Sequence, residues 1–167
     1  MNPRKPTALD KIALLVLDVD GVLTDGSLYF GAKGETMKVF HARDGHGIKL
    51  LLGSGVGVAT ISGRRTPAVT ARMRELQVPH VVQGCSDKVA ALLSLCRRLA
   101  IQPRHCACLV DDTVDLPLMS AVGFAGAVAD AHPVALSAAH WVSGAKGGHG
   151  AVRELCDAIL RARARHR

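Results

Sequence analysis

Aromatic side chains are scarce: one Trp, one Tyr and three Phe make up 3% of the 167 residues. Bases of single-stranded nucleic acid stack on aromatic platforms, so a nucleic-acid-binding role has little support. Also missing is any uninterrupted apolar run near the ~20 residues that cross a bilayer, and no membrane span is expected. The opening Met-Asn-Pro-Arg-Lys-Pro-Thr contains no apolar signal region, which predicts a chain that is not exported. The five cysteines (85, 96, 106, 108 and 156) include no CxxC pair and no metal-like spacing. An odd set of this kind predicts reduced, mostly buried thiols and a cytoplasmic location. Cys106 and Cys108 lie two apart on an expected strand, share a face, and read as packing rather than redox groups.

Charge is present but unevenly placed. The formal net charge is +7, yet Arg4, Lys5 and Lys11 begin the chain and Arg161, Arg163, Arg165 and Arg167 end it. Without these seven and Asp10, 14 basic residues face 13 acidic ones, so the body is near neutral. The basic tail, about 161–167, reads as a solvated end rather than a nucleic-acid patch.

What remains is a hydrophobic chain, 49% apolar, of a length suited to one domain spanning 1–167. Apolar runs of strand length alternate with longer segments of helical period, which predicts an α/β fold: a Rossmann-like parallel sheet with helices on both faces. The first run, Ile12 to Leu17, is apolar throughout, as in a strand buried on both sides, and stops at Asp18. A β-hairpin insert, about 27–41, follows: Leu28-Tyr29-Phe30 and Thr36 to Phe40 are joined by Gly31-Ala32-Lys33-Gly34. Further expected elements are a helix over about 44–52, a strand over 56–61 and a helix over about 66–76. After these come a short strand at 81–82, a helix over 87–99, a strand over 106–110, a helix from about 116, a weak strand near 125–128 and a final helix to about Arg163.

Ligands of an open parallel sheet bind beyond the carboxyl ends of its strands. There the sequence places Asp18, Asp20, Ser62, Asp111, Asp112 and Asp115. Five carboxylates at one edge repel each other unless a cation neutralises them, and all-oxygen donors suit Mg²⁺ better than zinc. Asp18 and Asp20, two apart at a strand end, can reach one substrate: Asp18 as carboxylate nucleophile, Asp20 as acid towards a leaving alkoxide and base towards water. Ser62 beside Gly63 offers hydroxyl and backbone donors to phosphoryl oxygens, and Lys88 at a helix start can neutralise their charge. Asp111 suits direct metal ligation and Asp115 the support of a metal-bound water. These residue types in this order predict a magnesium-dependent phosphatase with an aspartyl-phosphate intermediate.

The motifs Asp18-Val19-Asp20-Gly21-Val22, Ser62, Lys88 and the cluster of Asp111, Asp112 and Asp115 resemble, in order, the four motifs of the haloacid dehalogenase superfamily of phosphohydrolases. The resemblance implies that Asp18 is the nucleophile, that Asp20 is the acid/base and also a metal ligand through its carbonyl, and that Asp111 ligates by its side chain. Longer segments, DVDGVLTDG, FHARDGHGIKLL, ISGRR, QGCSDK, VDDTVDLPLM, ADAHP and GGHGAVREL, resemble the branch of that superfamily that dephosphorylates a phosphorylated sugar acid in lipopolysaccharide synthesis. That branch implies a homotetramer in which neighbouring subunits shape each site, with the tail and the Gly147-Gly148-His149-Gly150 loop near a neighbour's site. Val110 stands where the family usually has glycine, and Ser62 where threonine is commoner.

Between Asp20 and Ser62 there is room only for the hairpin and one short helix, which predicts a capless member. The hairpin concentrates Tyr29, Phe30 and Phe40 in an aromatic-poor chain, as a surface covered by neighbouring subunits would. Arg43, Lys49, Gly63 and Arg64 are candidate substrate-binding residues, although Arg43, Lys49 and Arg64 read almost as well as surface cations and Asp44-Gly45 as a plain turn. Asp112 is either a support for the metal site or a helix N-cap. Two rival activities remain open: a phosphatase of a related nine-carbon 2-keto-3-deoxy acid 9-phosphate, and a phospho-accepting receiver domain. Receivers place an acid pair first, the acceptor on the third strand and the lysine last, an order this chain does not follow.

Overall fold

The computed structural model describes residues 6–165. Strand β1 (Leu14–Leu17) is fully buried along its length. The hairpin of β2 (Tyr29–Gly31) and β3 (Gly34–Met37) follows, then α1 (Ala42–Gly53), β4 (Gly57–Ser62), α2 (Pro67–Glu75), β5 (His80–Gln83) and α3 (Lys88–Leu99). The second half contains β6 (Cys106–Val110), α4 (Leu116–Ala121), β7 (Phe124–Ala127), α5 (Pro133–Ala138), β8 (Trp141–Val142) and α6 (Ala151–Ala164). The main sheet has six strands in the order β5-β4-β1-β6-β7-β8, every pair parallel. Strand order reverses at β1, whose neighbours are β4 on one side and β6 on the other. A ligand crevice is expected at such a switch point, so the loops after β1 and β6 face the same space.

Burial explains why these runs become central strands. Every residue of β1 and β6 is buried, and each large apolar side chain so removed from water contributes about 1.5–3 kcal/mol. Helices pack on both faces: α1 against α6, and α3 against α4. Close approach of α1 to its neighbours depends on two glycines. A Cβ on Gly47 would lie 2.8 Å from Arg153 Cδ on α6, and one on Gly45 would lie 2.3 Å from Arg72 Nη2 on α2. Asp44-Gly45 therefore belongs to the first turn of α1 rather than to a free turn, and the helix starts two residues earlier than the sequence predicts. The expected helix at 66–76 is α2, with Thr66 as its N-cap accepting from Val69 N–H at 3.3 Å. Helix α5 and strand β8, of six and two residues, are additions that the sequence pattern did not reveal.

Helix α6 runs the depth of the domain. Arg163 Nη1 at its far end donates to the carbonyls of Asp10 (3.4 Å) and Ile12 (3.2 Å), where the chain enters β1. The basic tail therefore leaves from the end of the sheet opposite the strand termini. Of the charges expected at the chain ends, Arg4, Lys5 and Arg167 lie outside the described residues. Among the described residues no helix is long and apolar enough to cross a membrane. Cys106 and Cys108 are buried on β6, and burial pushes both thiols well above their ordinary pKa, in keeping with packing.

Candidate active site

The chain leaves β1 at Asp18 and turns at once. Val19 N–H donates to Asp18 Oδ1 at 2.7 Å, and Gly21 takes φ +80°, a left-handed conformation that costs a side-chain-bearing residue about 1–2 kcal/mol. Space reinforces the choice, since a Cβ on Gly21 would lie 2.0 Å from Asp111 Oδ2. Only glycine lets the loop after β1 touch the acid after β6.

Asp18, Asp111 and Asp115 each offer an oxygen such that all three lie within 4.8 Å of one another. Lys88, the first residue of α3, reaches Asp18 Oδ2 at 2.9 Å and Asp115 Oδ1 at 2.7 Å. Its helix is started by Asp87, whose side chain accepts from Ala90 N–H at 2.9 Å. The charges act strongly on each other. Burial, opposed by Lys88 and reinforced by Asp115, pushes Asp18 up to about 7. Burial together with Asp115 and Asp112 pushes Asp111 up to about 6. Lys88 is burdened by burial, but Asp18 and Asp115 more than compensate and hold it above its ordinary value. Asp115 is completely buried, and its Oδ2 has no hydrogen-bond partner. Buried oxygens of raised pKa with an unmet acceptor are the donor set a hard divalent cation requires.

Ser62 ends β4, buried, with its Oγ accepting from Arg64 N–H at 3.2 Å. With Gly63, Arg64, Asp20 and Val114 it lines a cleft of about 870 Å³ whose floor is Asp18, Lys88 and Asp111. Asp112 is exposed, lines the same cleft beside Asp111, and caps the turn Thr113–Asp115 by accepting from Thr113 N–H at 2.6 Å. Asp115 touches Lys88 directly. Arg43 and Lys49 are exposed on α1 and do not line this cleft.

Two features were not anticipated. The first is a pair of hairpin residues: Lys38 Nζ contacts Asp20 Oδ1 and lies 2.7 Å from Glu35 Oε1, while Arg64 Nη2 donates to Glu35 Oε2 at 2.7 Å. A lysine in the otherwise apolar and neutral Thr36–Phe40 run was the available signal. The second is a glycine cradle. A Cβ on Gly147 would lie 1.7 Å from the Gly21 carbonyl oxygen, and Gly148 N–H donates to Val22 O at 2.9 Å. The resemblance implies a place for this loop near a neighbour's site; within this chain it packs behind the loop after β1. Gly147 N–H is held by Asp130 Oδ1 (3.0 Å), and Asp44 of α1 caps α6 by accepting from Gly150 N–H (3.2 Å) and Arg153 N–H (2.8 Å).

Residues 78–155 match the model of the haloacid dehalogenase-like hydrolases. A 3-deoxy-D-manno-octulosonate 8-phosphate phosphatase of Yersinia pestis is 49% identical over 149 residues, 89% of this chain and 80% of that protein. The chain belongs to the 3-deoxy-D-manno-octulosonate 8-phosphate phosphatase family. Solved structures of the family superpose closely. The phosphatase of Moraxella catarrhalis, in complex with magnesium, phosphate and a KDO molecule, has a TM-score of 0.91 at 36% identity, covering 94% of this chain and 90% of that one. A cobalt-bound family structure from Haemophilus influenzae has a TM-score of 0.92 at 40% identity, covering 95% of this chain and 92% of that one. Family membership sets aside the receiver reading.

Proposed function

We propose that the chain is a Mg²⁺-dependent phosphatase that hydrolyses 3-deoxy-D-manno-octulosonate 8-phosphate to the free sugar acid and phosphate. The observation that carries this reading is the buried group of Asp18, Asp111 and Asp115 bridged by Lys88 at the switch point of the sheet. The carboxylates of Asp18 and Asp111 and the carbonyl of Asp20 are the residues that would hold Mg²⁺, which supplies positive charge against the carboxylates and the phosphoryl oxygens.

The remaining chemistry falls to the chain. An Asp18 carboxylate oxygen attacks phosphorus; the bond to the sugar oxygen breaks, and Asp20 gives that alkoxide its proton. Asp20, now a carboxylate, removes a proton from water as the water oxygen attacks the phosphorus of the acyl phosphate. Phosphate leaves and Asp18 is regenerated. Lys88 and the Ser62 hydroxyl balance the charge on the phosphoryl oxygens throughout. Gly63 and Arg64 at the cleft wall meet the sugar acid. Arg43 and Lys49, exposed and outside the lining of this cleft, would serve a neighbouring subunit's cleft in a homotetramer. The exposed Leu28, Tyr29, Phe30, Met37 and Val39 of the hairpin form a surface suited to such neighbours. We place the enzyme in the cytoplasm, as a single domain without a separate cap.

The test is turnover on a panel of phosphorylated sugar acids, simple sugar phosphates and phosphopeptides with and without Mg²⁺. The eight-carbon acid 8-phosphate should give the highest kcat/KM, with no turnover after chelation. Preference for the nine-carbon acid 9-phosphate would move the substrate, and preference for a phosphopeptide would reject the small-molecule assignment.

A further inference from the structure

Asp18 and Asp20 are held in different ways. Asp18 is fixed by a backbone donor, Val19 N–H, and by Lys88 from α3. Among the described residues no backbone N–H donates to the Asp20 carboxylate; its contacts are Lys38 Nζ on Oδ1 and Arg64 Nε, 3.7 Å from Oδ2. The Lys38 side chain is 1% exposed. Burying an ammonium costs several kcal/mol unless carboxylates surround it, and here two do: Asp20 and Glu35. Glu35 is bound in turn by Arg64. Burial alone would raise the Glu35 pKa, but the hydrogen bonds from Lys38 and Arg64 outweigh it and bring the group below its ordinary value. Four alternating charges thus close a ring, two from the hairpin and two from the loops after β1 and β4.

We propose that Lys38 is a positioning residue that aims the Asp20 carboxylate at the leaving-group oxygen, so that proton transfer is competent only while the hairpin lies against its own subunit's cleft. The proposal rests on the reading of Asp20 as the acid/base. It follows from where the restraints come from: the nucleophile is fixed by the sheet, whereas the acid/base is fixed by an antiparallel pair of three- and four-residue strands that belong to no larger sheet. An isolated hairpin of this size has little stability of its own, and the Lys38–Asp20 and Arg64–Glu35 contacts, with the Arg64 guanidinium 5.7 Å from the Phe30 ring, help tie it to the cleft. The hairpin and the acid/base therefore hold each other in place.

A lysine that merely tethers the hairpin and one that aims Asp20 differ in how their loss depends on the leaving group. Expulsion of a sugar alkoxide needs a proton, whereas p-nitrophenolate leaves without one. In single turnovers, which report phosphoryl transfer to Asp18 before water is activated, Lys38→Met should slow sugar release from 3-deoxy-D-manno-octulosonate 8-phosphate by about 30-fold or more, within the about 10²–10⁴ that general acid catalysis contributes. Release of p-nitrophenolate from p-nitrophenyl phosphate, measured in the same way, should slow by less than about threefold. Methylammonium added to Lys38→Ala should restore part of the sugar-phosphate rate and leave the aryl rate unchanged. Equal losses on both substrates, or a change confined to KM, would overturn the proposal. If thermal melting shows Lys38→Met to be unfolded, Lys38→Arg carries the same comparison, selective loss supporting the proposal and equal loss overturning it. Asp20→Asn, run alongside, separates the two ideas. If that variant slows the single-turnover release of both leaving groups equally, the acid/base reading itself fails whatever Lys38 does.

Discussion

The floor and the roof of the cleft are built from different material. The floor, Asp18, Ser62, Lys88 and Asp111, sits at the ends of buried strands and at the start of α3, and each position is fixed by backbone geometry or a neighbouring charge. The roof is a hairpin whose strands are mostly exposed; it lines none of the cleft itself and meets the cleft wall at Asp20 and Arg64 through a few charges and the Phe30 ring. Met37 is 50% exposed and Phe30 63%, the latter with its ring 5.7 Å from the Arg64 guanidinium, so the roof carries apolar surface that the floor lacks. Rigid elements hold reacting groups to within fractions of an ångström, whereas loops and hairpins admit and exclude substrate. Substitutions in the floor should therefore remove chemistry, and substitutions in the roof should alter how the acid/base is aimed or who meets the cleft.

The largest effect is expected from Asp18→Asn, which keeps the shape of the floor but removes the nucleophile; kcat should fall by about 10⁴-fold or more in steady-state phosphate release. Next is Gly147→Ala. Its Cβ would have to push the Gly21 carbonyl away from 1.7 Å, and displacement of a reacting group by about 1 Å costs about 10²-fold. Calorimetric Mg²⁺ affinity should fall with it, because the Asp20–Gly21 backbone moves. If kcat and metal binding are both unchanged, the cradle is packing alone and the floor is less rigid than described.

A smaller effect concerns pH. Asp18 and Asp111 are raised from 3.8 to about 7 and about 6, so without metal the folded state holds protons that the unfolded state releases. Stability from these groups is complete below about pH 4 and is lost as pH climbs towards 7. A bound cation reverses the balance by favouring the carboxylates. The gain in Tm on adding Mg²⁺ at about 100 times its Kd should then be about 5 °C or more at pH 8, and clearly smaller at pH 5.5. A gain that does not depend on pH would mean that these acids are not the ligands. The smallest catalytic effect is expected from the exposed apolar residues of the roof: Met37→Ser should leave kcat within about threefold while weakening self-association in sedimentation. Unchanged association would remove the hairpin from the subunit interface.

Legibility in the sequence follows the same division. The floor could be read because its signals are local: an apolar run that stops at Asp18, another that stops at Asp111, and a helix start at Lys88. The hairpin was located, but Lys38 on Asp20 was not foreseen, because that contact exists only once the insert folds back. The packing of Gly147 and Gly148 was hidden for a similar reason, since the backbone that forbids their side chains belongs to a distant loop, Gly21 to Asp25. Helix α5 and strand β8 were missed because six- and two-residue elements have too little periodicity to register.

The account stands on Asp18 as the atom that takes the phosphoryl group. Its most direct test is rapid quenching of the enzyme during turnover, with Asp20→Asn used to slow breakdown, followed by borohydride reduction and peptide mass spectrometry. Conversion of residue 18 to homoserine is the result expected, since borohydride reduces an acyl phosphate to the alcohol. Turnover with residue 18 unmodified, or with phosphate recovered on Ser62 or another side chain, would contradict it.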